Sequence, residues 1–66
     1  MTKQEIQTGW QCAETLVGII VNAYVNGVDI EGGRKAQAML AQWLDVVKRE
    51  GIVYNGNYDE YLTYKL

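Results

Sequence analysis

The 66-residue chain has no histidine, no proline and no phenylalanine, and it has one cysteine, Cys12. A lone cysteine cannot close a disulfide within the chain. With no histidine and no second thiol, the sequence offers no ordinary zinc ligand set. The same lack removes the usual means of catalysis near neutral pH, because no imidazole can act as base or hold Cys12 as a thiolate. Charge is also scarce, with eight acidic and six basic residues and a net of −2. That balance suits neither the basic footprint of a non-specific nucleic-acid binder nor a polyanionic mimic. The longest nearly apolar run, Leu16 to Val25, is ten residues with Asn22 inside it, against the ~20 residues that span a bilayer. It has no cleavage-type ending. The expectation is a cytoplasmic chain with no membrane span, metal or cofactor. Beginning with Met1, it reads as a complete small frame.

What is present must therefore stabilise one small domain. A domain of this size buries only about 60% of the surface its unfolded chain exposes. Scaffolds this small usually need a disulfide, a metal or a partner subunit. The first two are excluded above, and 48% hydrophobic residues provide material for the third.

Thr2-Lys3-Gln4-Glu5 fits a capping box. After it, Ile6, Trp10, Ala13, Val17, Ile20 and Tyr24 recur at spacings of four, three, four, three and four. That period predicts a helix over about 3–26, ended by Gly27 in a left-handed conformation. The β-branched run up to Val25, followed by Asn26-Gly27, also carries a strand-and-turn signal from Thr15 onward, but the helical period beginning at Ile6 outweighs it. A second helix over about 30–50 follows Asp29 as cap and has Glu31 in its first turn. Its seam is Ala36, Leu40, Trp43 and Val47, flanked by Met39, Leu44 and Val46. Lys48 and Arg49 occupy the last turn, Gly51 stops the helix, and Ile52 is placed to fold back. Residues 52–66 form a Tyr-rich C-terminal element, with Asn55-Gly56 as a turn. Asn57-Tyr58-Asp59-Glu60 resembles a cap, with Tyr58, Tyr61, Leu62 and Lys65 on one face of a short third helix. A hairpin pairing 52–54 with Tyr58 onward is the alternative. The fold class expected is all-α: an antiparallel helical hairpin plus this short element, in a single domain.

No charge occurs from Thr15 to Val28, whereas a surface helix ordinarily carries charge on its outer face. The outer face of helix 1 would hold Gln4, Gln7, Thr8, Gln11, Thr15, Gly18 and Asn22, polar but neutral. Its apolar arc is widened by Leu16, Ile19, Val21 and Ala23. Two helices cannot cover so wide an arc, and a second copy is the simplest remedy, giving a homo-oligomeric helical bundle. The candidate self-association seam is Ile6, Trp10, Ala13, Val17, Ile20, Tyr24, Leu40 and Trp43. Gly9 and Gly18 would permit close approach there.

Each candidate chemistry has a plainer reading. Gly27 and Gly32 have the separation of a phosphate-binding loop, but Gly33 and Arg34 stand where lysine and a hydroxyl residue belong. Asp29 and Glu31 also place negative charge where phosphate would sit, so a turn and a capped helix are the better reading. Cys12 is expected to be a small packed side chain. Glu14 and Asp45 have nothing to bring them together. Arg34-Lys35 and Lys48-Arg49 read as an ordinary solvated face. Tyr54, Tyr58, Tyr61 and Tyr64 crowd the last thirteen residues, and tyrosine suits half-wet interfaces and stacked ligands as well as a roof over a core. With Arg34 and Lys35 they form the candidate partner or ligand surface.

The expectation is a non-enzymatic protein-interaction module that binds itself and another protein, such as a small phage or mobile-element inhibitor. An oligomeric binder of a nucleotide-like anion is the alternative, and a nucleic-acid binder ranks last.

Overall fold

In the computed structural model, residues 1–65 are described. The Thr2 hydroxyl accepts from the Glu5 N–H at 3.1 Å, and the Glu5 carboxylate accepts from the Thr2 N–H at 2.9 Å. That backbone hydrogen bond is the main cause holding the Glu5 carboxyl below its usual range. The reciprocal box starts α1 (Lys3–Asn26). Gly27, at φ 70°, ends it, and the Val28 N–H reaches the Asn22 carbonyl at 3.2 Å. The strand alternative from Thr15 to Val25 is not adopted.

Asp29 turns the chain at φ 50°, a left-handed conformation that Asp tolerates better than most side chains. Its carboxylate accepts from the Gly32 N–H at 3.1 Å, starting α2 (Ile30–Arg49). Gly51, at φ 69°, stops α2, and the Ile52 N–H returns to the Val47 carbonyl at 3.0 Å. The two long helices are joined by three residues and lie antiparallel in a body of 36 × 18 × 17 Å.

Ala13, Ile20, Ala23, Ala36, Leu40, Leu44 and Val47 are buried between the helices. The core is graded along its length. At the connected end the facing residues are small, and a Cβ on Gly33 would lie 2.3 Å from that of Ala23. At the far end the Trp43 ring lies over Gly9, where a Cβ would come within 2.2 Å of it, and meets Trp10 edge-on at 5.5 Å between centroids. Gly9 therefore serves close packing as expected. At Gly18 a Cβ would meet nothing within 4 Å among the described residues. The Trp43 indole N–H is buried and has no hydrogen-bond partner among the described residues.

The chain after α2 returns along one side of the hairpin. It contains the short third helix expected, a single turn α3 (Tyr58–Tyr61) that ends before Lys65, and among the described residues it pairs in no strand. Asn57 makes no cap to the backbone; its amide donates to the Glu60 carboxylate at 2.9 Å. Leu66, the end of the expected element, lies outside the described residues.

Candidate functional site

The four C-terminal tyrosines are half-buried and pack against the core. They do so in two pairs, each seated on an aromatic ring of α1. Tyr54 and Tyr58 each lie 5.0 Å from Trp10 between ring centroids. Tyr64 meets Tyr24 at 6.3 Å, and Tyr61 meets Tyr64 at 5.6 Å. Aromatic pairs at such separations contribute about 0.5–1.5 kcal/mol beyond their burial.

Gln37 fastens this roof to α2. Its side-chain carbonyl accepts from the Tyr24 hydroxyl at 2.8 Å, and its amide donates to the Tyr61 and Tyr64 carbonyls at 2.9 and 3.0 Å. At the other end, Asp59 accepts from Lys48 and from the Tyr54 hydroxyl, each at 3.1 Å. The Lys48 hydrogen bond is the main cause holding the Asp59 carboxyl below its usual range, and the same bond raises Lys48. Tyr54 is raised, chiefly by burial and then by its bond to Asp59.

Two hollows open at the rim of the roof. One, of about 280 Å³, is walled by Tyr58, Tyr61, Val17 and Glu14 beside the Gly56-Asn57 turn. The other, of about 390 Å³, lies between Tyr24, Tyr64, Arg34 and Lys65. The structure thus brings Arg34 to the tyrosines but leaves Lys35 one residue further round α2, exposed and outside the hollow.

The residues of the sequence-derived seam lie inside the single chain. Ala13, Ile20 and Leu40 are buried, while Trp10, Val17, Tyr24 and Trp43 pack around them half-buried, and Ile6 is half-buried as well. The outer residues Gln4, Gln7, Thr8, Gln11, Thr15, Gly18 and Asn22 are all exposed. Cys12 is exposed too, contrary to the packed side chain expected. It lies beside α2 on the side away from the tyrosines, in a hollow of about 270 Å³ shared with Leu16, Met39, Trp43 and Val46. The loop that opens α2 turns the chain: the Gly32 N–H that an anion would need is held by Asp29. Asp45 pairs with Arg49 at 3.4 Å, while Glu14 borders the aromatic hollow. No group of three or more potential metal ligands occurs among the described residues. No helix there is long and apolar enough to cross a membrane.

Sequence reasoning missed Gln37 and, for Glu14, read as a solvated or rim acid, the tyrosines it stands beside. Gln37 had no legible signal, because its partners, the Tyr24 hydroxyl and the Tyr61 and Tyr64 carbonyls, lie thirteen or more residues away. Glu14 had none, because its neighbours Tyr58 and Tyr61 arrive from more than forty residues away.

Fold and site together define a two-helix hairpin roofed on one side by aromatic rings. Compared with known proteins, the chain matches no family model, no curated protein and no solved structure.

Proposed function

We propose that the protein is a non-enzymatic interaction module, assembled as a homo-oligomer, that binds and modulates another protein. The observation supporting this is the rim hollow in which Tyr58 and Tyr61 stand beside Glu14. Two rings and one carboxylate suit a basic side chain of a partner, through cation–π attraction and an ion pair. Half-wet tyrosines are the residues that interfaces favour. A small inhibitor of the kind carried by phages or mobile elements acts in this way, by occupying a surface.

The test is affinity capture with the immobilised chain from lysate of its host cell, comparing wild type with Glu14→Lys. Glu14 is exposed, so the substitution leaves the fold in place. One protein retained by wild type and lost with the variant is expected. Equal retention by both, or none by either, overturns the reading.

The second reading, a small anionic ligand of nucleotide type, draws on the hollow where Arg34 and Lys65 flank Tyr24 and Tyr64. Such a ligand would raise thermal stability by mass action, by about 2.7 kcal/mol at a hundredfold excess over Kd. Melting curves with and without millimolar ATP test it.

A further inference from the structure

The tail roofs one side of the hairpin only. On the other side α1 and α2 enclose a groove lined by Cys12, Leu16, Met39, Trp43 and Val46, with Ile19 one turn beyond Leu16 on α1. Met39 is 57% exposed and Ile19 39%. We infer that a second copy of the chain covers this groove about a two-fold axis, so that the four long helices of two chains form one bundle. This rests on the oligomeric part of the function proposed above and names the face that carries it.

The distribution of charge points to a second copy rather than a foreign chain. Along the α2 edge of the groove the residues read Lys35, Met39, Gln42, Val46 and Glu50; along the α1 edge they read Glu5, Gly9, Cys12, Leu16 and Ile19. The centre is neutral and apolar, one end carries Glu5 and Glu50, and the other carries Lys35, with Glu31 one turn before it on α2. A two-fold axis through the middle of the groove, near Cys12 and Gln42, reverses the direction of the second copy. Lys35 of each chain then faces the Glu5 and Glu50 end of the other. Glu50 already takes the Met1 amine at 3.6 Å, whereas Lys35 has no ion pair among the described residues. A copy laid in the same direction would set acid against acid. In an isologous contact one patch must complement itself, and this patch does so in both polarity and charge. The resulting bundle also gives the wide apolar arc of α1 a second neighbour.

Sedimentation equilibrium at micromolar concentrations and low salt tests this. Wild type is expected at twice the chain mass. Met39→Glu would bury two unpaired carboxylates and weaken association by roughly a hundredfold or more, with helicity by circular dichroism unchanged. Val53→Glu, at a tail position 94% exposed, should leave the dimer intact. Lys35→Glu should weaken it and Lys35→Glu with Glu50→Lys should restore it. A wild-type monomer overturns the oligomeric reading together with this interface. A dimer that survives Met39→Glu overturns the interface alone. Absence of rescue in the double variant overturns the two-fold orientation.

Discussion

The two sides of the hairpin differ more than its two helices do. On the roofed side, Trp10 and Tyr24 are met by three tyrosines from the tail, with Tyr61 packed on the third, and Gln37 satisfies the backbone of that tail. On the open side, Met39 and Cys12 stand exposed beside Leu16 and Val46, with nothing from the described chain across them. Both flanks border the same buried row, Ile20, Leu40 and Leu44. Two helices bury the line between them and leave a flank on each side. Each flank needs its own cover, and fourteen or so tail residues reach only one. Packing in such a chain is therefore uneven, dense where the tail lies and open on the other flank.

The comparison assumes a shared core, and the largest effect should come from removing it. Leu40→Ala takes a fully buried side chain from between the helices and should cost about 2–5 kcal/mol. In so small a domain that is most of the stability, so both flanks should melt together in thermal denaturation. Loss of one flank's signals before the other's would mean that the core is not shared.

Glycines sharpen the contrast between packed and free surface. Gly9→Ala places a methyl against the Trp43 ring and should destabilise by about 1–3 kcal/mol. Gly18→Ala meets nothing and should stabilise α1 by about 0.5–1 kcal/mol. Urea titrations of the two variants should move the midpoint in opposite directions, and a shared direction would break the assignment.

A third pair compares the flanks directly. Gln37→Ala removes three hydrogen bonds under the roof and should cost about 1–3 kcal/mol, since it leaves the Tyr24 hydroxyl and two carbonyls unpartnered. Met39→Ser on the open flank should change the stability of the single chain by less than about 0.5 kcal/mol. Samples dilute enough to be monomeric by sedimentation isolate this term.

The smallest effect is the pH response of the tail. The folded value of Asp59 lies below its unfolded one, because Lys48 and Tyr54 donate to its charged form. Its contribution is therefore present above the unfolded value and is lost as pH falls through the folded one, in the region below about pH 4. Exposure of both partners keeps the effect small. The ring resonances of Tyr54 should report loosening of the tail in acid, and Asp59→Asn should remove that titration.

Much of the fold could be read before any contact was known. The Thr2–Glu5 box, Gly27, Asp29 and Gly51 all mark the helix ends where the structure has them. Each acts on a neighbour within about four residues, and such interactions are written in adjacent positions. The site was less legible. The tyrosine cluster stood out by composition, but its seats on Trp10 and Tyr24 did not, because those rings lie thirty or more residues away. From the sequence Cys12 reads as a small packed side chain and Met39 as a flank of the α2 seam. They are exposed because the tail passes the other side.

The sequence by itself determined the extent and polarity of the two long helices, the neutral outer face of α1, and the absence of a disulfide within the chain. These follow from local hydrogen bonding, periodicity and composition. Tertiary structure alone decided that the tail covers the Trp10–Tyr24 flank and leaves the Cys12–Met39 flank open. Both flanks are apolar enough to accept a cover, and the choice rests on contacts such as those of Gln37 with the Tyr61 and Tyr64 carbonyls, which exist only once the hairpin has closed.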